Sequence, residues 1–158
     1  MKKAIGVIGS GETLDDKHYR TAYETGELIA KNGAVLITGG LGGVMEAASK
    51  GASDNNGTTV GILPDSDPDT ANPYISIPIP TGMGKTRNAL VIQSSLSVIA
   101  LPGGYGTLSE ISIALNLSKR IVFLPGAWDL RKCGKIDHSL FKEAVDPYHA
   151  VGLALNSK

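Results

Sequence analysis

Short apolar runs alternate with amphipathic stretches along the whole chain. Ala4 to Ile8, Ala34 to Thr38, Thr58 to Leu63, Leu96 to Leu101 and Arg120 to Leu124 are brief and apolar, the pattern of strands buried in a sheet. Between the first two, Asp16 to Asn32 sets Tyr19, Ala22, Tyr23, Gly26, Ile29 and Ala30 on one face at helical spacing. Asn32-Gly33 supplies the stop. Val44 to about Ser53, Gly84 to Ser95 and Leu108 to Leu117 predict further helices. Asp146-Pro147 suits an N-cap and first position for a last helix reaching about Leu155. Ser139 to Val145 fits strand and helix equally, and Trp128 to Asp137 reads as loop. Residues 64 to 82 hold five of the eight prolines. They predict a loop with one short edge strand near Ile75 to Ile77, because Pro78 and Pro80 cannot serve a central ladder.

Strands that alternate with helices predict an α/β fold: a single-domain, Rossmann-like, doubly wound parallel sheet over residues 1–158, with helices on both faces. Such sheets bind ligands beyond the C-terminal strand ends, near the point where strand order reverses. Three glycine turns follow three strands here: Gly9-Ser10-Gly11, Gly39 to Gly43, and Gly103 to Gly106. All three are expected on one edge.

Composition narrows the function classes. Lys plus Arg and Asp plus Glu both total 15, so no broad basic surface for nucleic acid is expected. The one cysteine, Cys133, cannot close an internal disulfide, which suits a reducing cytoplasm. No apolar run reaches the length of a membrane span, and the glycines from Gly6 to Gly11 cut short any signal-peptide core after Met1-Lys2-Lys3. His18, His138, His149 and Cys133 have no metal-ligand spacing, so no metal site is expected.

The turns carry the candidate chemistry. In Pro102-Gly103-Gly104-Tyr105-Gly106-Thr107-Leu108-Ser109-Glu110, glycines at a strand-to-helix junction let backbone N–H groups approach an anion, and the helix dipole favours it. Glu110 brings a carboxylate to the same place. It fits either a capping box opened by Thr107 or a functional acid. Glu46, also early in a helix, reads as capping. The Gly42 to Val44 amides suit a phosphate, and Arg87 suits a phosphate or carboxylate by bidentate pairing. Two other glycine patterns fail. Gly82-Met83-Gly84-Lys85-Thr86 lacks a P-loop because Ile79 stands where glycine is required, so no ATP is expected. Gly40-Leu41-Gly42 lacks a dinucleotide fingerprint because Met45 holds its third glycine position, so no NAD is expected.

Thr38-Gly39-Gly40-Leu41-Gly42-Gly43-Val44-Met45, followed by Pro102 to Glu110, resembles the superfamily once called possible lysine decarboxylases. It includes the LONELY GUY phosphoribohydrolases, which release free base from nucleoside 5′-monophosphates, and the molybdenum cofactor carrier proteins. The likeness runs from Ala4 to about Leu124, with Arg87 at the family's functional arginine and Glu110 at the last position of PGGxGTxxE. Asn88 stands where the hydrolases typically have Lys, Ser109 replaces the first residue of their acidic pair, and Thr38 and Glu46 depart from their GGGxxGLMG loop. These departures look more like the carrier branch.

The resemblance therefore implies a protein that binds and carries the molybdenum cofactor as cargo. The implied site comprises Gly9, Ser10, Gly39, Gly40, Gly42, Gly43, Val44, Met45, Arg87, Asn88, Gly103, Gly104, Gly106, Thr107 and Glu110. Molybdoenzymes or cofactor-synthesis proteins are the implied partners, and a homodimer or homotetramer the implied assembly. The alternative is a phosphoribohydrolase in which Arg87 holds the phosphate or ribose and Glu110 is catalytic.

Overall fold

The computed structural model of the protein describes residues 1–128 and 139–156. Seven strands form one sheet: β1 (Ala4–Ile8), β2 (Val35–Thr38), β3 (Thr59–Leu63), β4 (Ile77–Pro80), β5 (Ser97–Ala100), β6 (Arg120–Phe123) and β7 (Phe141–Glu143). Their spatial order is β4-β3-β2-β1-β5-β6-β7. Every ladder is parallel. The helices are α1 (Asp16–Lys31), α2 (Val44–Asp54), α3 (Asn88–Gln93), α4 (Tyr105–Asn116) and α5 (Pro147–Leu155). The chain winds outward from β1 to β4, then restarts at β5 on the other side of β1. The β1/β5 junction is therefore the switch point, where helices diverge and leave a crevice.

Strand alternation divides the core into two layers. Ile5, Val7, Leu36, Ile99 and Leu101 pack with Ala22 and Ile29 of α1, Ala48 of α2 and Ala150 of α5. Ile8, Ile37, Val98 and Ala100 face the other way, onto Val91 and Ile92 of α3 and Ile111 and Ala114 of α4. The α1–α2 contact is backbone to backbone. A Cβ added at Gly26 would sit 1.9 Å from the Ala48 carbonyl oxygen, and one at Gly51 would sit 1.9 Å from that of Tyr23. Tyr19, expected on the core face of α1, is 41% exposed and stacks beside Tyr23 instead.

Several boundaries differ from the sequence expectation. The proline-bearing strand is an edge strand as expected, but it spans Ile77–Pro80 and contains both prolines. Ile75 precedes it and lies against Gly61. The single helix expected over Gly84 to Ser95 divides into a 3-10 turn, Gly84–Arg87, and α3. Gly84 has a φ of +55°, outside helical geometry, so the segment enters its helix tightly. Helix α4 starts at Tyr105, not Leu108. The undecided Ser139 to Val145 segment contributes β7, whose Phe141 ring stacks on Phe123 at 3.8 Å between centroids. Of the predicted loop from Trp128 to Asp137, all but Trp128 lies outside the described residues, as do Cys133 and His138.

Candidate functional site

The three glycine turns meet at the C-terminal edge of the sheet and bond to one another. The Ser10 amide donates to the Pro102 carbonyl at 2.9 Å, and the Val44 amide donates to the Ser10 carbonyl at 2.8 Å. Gly43 makes the second contact feasible: its φ is +62°, and a Cβ there would come within 2.2 Å of the Ser10 oxygen. The proline-rich segment is tied to the same edge, because the Asn72 side-chain amide donates to the Leu41 carbonyl at 2.9 Å and its backbone amide donates to Gly40 at 2.9 Å.

Beyond these turns lies a cleft of about 660 Å³. Of the residues expected at the site, Gly9, Ser10, Met45, Arg87, Asn88, Gly104, Gly106, Thr107 and Glu110 line it. Gly39, Gly40, Gly42, Gly43, Val44 and Gly103 do not, and they stand behind it in supporting positions. Gly39 makes room for Arg87, whose Nη2 would lie 2.5 Å from a Cβ at that position. Gly40 is engaged by Thr38 Oγ1 and by Asn72. Val44 is fully buried against Gly9 and its amide is already bonded, so of the Gly42 to Val44 amides this one is committed to the fold. Gly42 and Gly43 line a neighbouring recess of about 340 Å³ with Glu46 and Tyr19. Gly103 packs against Gly9 and Thr107.

The cleft is also lined by residues beyond the implied site: Gly11 and Leu41 of the expected turns, and Glu12, Pro64, Gly84, Lys85 and Tyr105. Lys85 and Tyr105 were within reach, since both sit inside motifs already singled out. Leu41 and Pro64 carry no chemical signal.

Glu110 does not cap α4. The N-cap is Gly104, no side chain bonds there, and Glu110 lies well inside the helix with only 7% of its surface exposed. The capping-box reading is overturned because the glycines let α4 begin earlier, which moves Thr107 into the helix. Burial pushes the Glu110 carboxyl up to about 7, and the Arg87 guanidinium opposes that rise from 3.9 Å. Burial lowers Arg87 in turn, against the pull of Glu110. The Glu46 capping reading fares no better in detail. Glu46 occupies the first turn of α2, where the dipole favours it, but no side chain bonds the Gly43 cap.

Arg87 is 7% exposed and clamped from two sides. Nη2 donates to the Gly39 carbonyl at 3.2 Å, and Nη1 donates to Asn88 Oδ1. Its Nε is buried without a hydrogen-bond partner. A buried guanidinium N–H without a partner is unusual, and it marks Arg87 among the residues that line the cleft. The network continues outward. Asn88 Nδ2 donates to Ser109 Oγ at 3.0 Å, and Ser109 Oγ donates to the Gly106 carbonyl at 2.7 Å. The buried groups of the cleft are thus one cation and one carboxyl of raised proton affinity, with a neutral amide–hydroxyl bridge beside them.

The chain is similar over most of its length to several known proteins. An uncharacterised protein of Archaeoglobus fulgidus is 53% identical over 120 residues, covering 76% of this chain and 78% of that protein. A cytokinin riboside 5′-monophosphate phosphoribohydrolase of Rhodococcoides fascians is 32% identical over 113 residues, 65% of this chain, and the match spans about half of the hydrolase, 54%. Among solved structures, the molybdenum cofactor binding protein of Rippkaea orientalis superposes with a TM-score of 0.88 at 38% identity, covering 97% of this chain and 95% of that one. The molybdenum cofactor carrier protein of Chlamydomonas reinhardtii does so at 0.88 and 34% identity, covering 99% and 98%. With its profile matched over residues 2–154, the chain belongs to the SLOG cluster4 family.

Proposed function

We propose that this protein binds and carries the molybdenum cofactor, a pterin bearing a phosphate, with Arg87 and the glycine turns receiving the phosphate. The observation that carries the reading is the Asn88–Ser109 hydrogen bond. These are two of the positions where the sequence departs from the hydrolase pattern, and here they are partners. A neutral bridge stands where the hydrolases place a lysine and an acid. It leaves Glu110 without an acidic neighbour at position 109, and the second carboxylate of the cleft, Glu12, is exposed. The unpartnered Nε of Arg87 supports an oxyanion ligand, and the likeness to the Rippkaea orientalis protein over nearly the full length of both chains supports the choice of cargo. The protein acts in this reading as a cytoplasmic homo-oligomer that passes its cargo to molybdoenzymes or takes it from cofactor-synthesis proteins.

A phosphoribohydrolase activity is the second reading. Glu110 favours it, because a carboxyl pushed up to about 7 can exchange protons near neutral pH. The two are separated by incubating the protein with AMP and assaying free adenine, in parallel with spectroscopic titration of the molybdenum cofactor. Saturable cofactor binding that Arg87→Ala weakens, with no adenine released, is the expected result. Adenine release that disappears in Glu110→Ala overturns the carrier reading.

A further inference from the structure

Tyr105 is the first residue of α4, is 84% exposed and lines the cleft. The open ring stands where a ligand in the cleft would meet it. Trp128 stacks beside Tyr105, with ring centroids 6.4 Å apart and planes 28° from parallel. Trp128 is itself anchored, because its Nε1 donates to the Gly103 carbonyl at 2.8 Å and approaches that of Gly104 at 3.3 Å. The indole thus braces both the ring and the turn that carries it. The rest of the cleft is asymmetric. Arg87 and Glu110 sit buried at the floor, while Leu41, Met45 and Pro64 add apolar wall.

From this juxtaposition we infer that Tyr105, held by Trp128, is the platform on which the flat heteroaromatic ring of a phosphate-bearing ligand stacks, and so determines selectivity for such ligands. The inference rests on the phosphate reading of the Arg87 floor, where an unpartnered Nε independently points to a ligand. It holds for a pterin and a purine alike, since stacking reads a π-face and tolerates different rings.

Two probes separate ring from phosphate. The carbocyclic analogue of AMP keeps the base and phosphate but cannot form an oxocarbenium ion, so hydrolysis does not intrude. Ribose 5-phosphate lacks the ring. Calorimetric titration of the full chain is expected to show tighter binding of the AMP analogue, by about tenfold if stacking has its usual worth. Tyr105→Phe should keep that preference. Tyr105→Leu should lose it, with ribose 5-phosphate affinity unchanged in both variants as the sign of an intact floor. Trp128 is the chain's one tryptophan, so its emission should respond to the analogue in wild type and not to ribose 5-phosphate. Equal affinity for both probes, or a ring preference that survives Tyr105→Leu, overturns the stacking role while the phosphate floor stands. Failure of both probes to bind the wild type sinks the floor and the platform together.

Discussion

At the scale of single residues, Arg87 and Glu110 govern each other. The Glu110 carboxyl rises from 4.5 to about 7, so the folded protein holds a proton there that the unfolded chain releases. Stability from this group is therefore fully present below about pH 4.5 and is lost as pH climbs through 7. At 1.36 kcal/mol per unit, the loss between pH 5 and pH 8 is on the order of 2–3 kcal/mol. Glu110→Gln should flatten that slope, as measured by urea melts across the range. An unchanged slope would place the titration elsewhere. Arg87→Lys is expected to weaken anion binding nearly as much as Arg87→Ala, because an ammonium cannot reach the Gly39 carbonyl, Asn88 Oδ1 and a ligand at once. Gly39→Ala should do the same indirectly, by crowding Arg87 Nη2 from 2.5 Å and Met45 Sδ from 2.7 Å. Its signature is lost phosphate affinity with an unaltered circular dichroism spectrum.

At the scale of elements, the α1–α2 crossing is the most exacting contact in the fold. Gly26→Ala or Gly51→Ala drives a methyl into a carbonyl oxygen of the facing helix, and helix backbone cannot yield as a side chain can. Either change should cost at least the ~1–3 kcal/mol typical of overpacking, visible as a fall in thermal midpoint. A wild-type midpoint in Gly26→Ala would mean that the helices slide freely. By contrast, the N-cap of α5 follows an ordinary local rule: Asp146 Oδ1 accepts from the His149 amide at 2.8 Å, and Asp146→Ala should cost about 1 kcal/mol. The Asp146-Pro147 pair marks this cap in the sequence. The sequence also marks the edge position of the proline-bearing strand, but not its exact span, since parallel pairing with β3 selects Ile77–Pro80.

At the scale of the molecule, one surface differs from the others. From Asn88 to Ser118 the only charged residue is Glu110, and it is buried. The outer face of α3 and α4 thus offers serines, Leu117 and part of Leu108 to its surroundings, where α1 offers many charges. The homo-oligomer implied by the family resemblance should pack here. Light scattering is expected to find an assembly larger than one chain, and Leu108→Glu or Ser112→Arg should dissociate it. A wild-type monomer, or variants that stay assembled, would move the interface elsewhere.

The alternation of apolar runs and helical spacing along the chain determines a parallel α/β sheet and puts three glycine turns at strand ends. Strand period and turn chemistry are local properties, so they are legible in order along the chain. The motif from Pro102 to Glu110 likewise marks the pocket. What that motif's acid is doing was not legible. Thr107 to Glu110 has the spacing of a capping box, and only the start of α4 at Tyr105 removes Glu110 from that role. Burial raises its proton affinity against the pull of Arg87, and the Val44 amide is consumed by Ser10, a partner from another turn. Asn88 meets Ser109 across 21 residues, and Arg87 meets Gly39 across 48. Those pairings exist because the sheet reverses its order between β1 and β5, and long-range packing of that kind has no signature in local spacing.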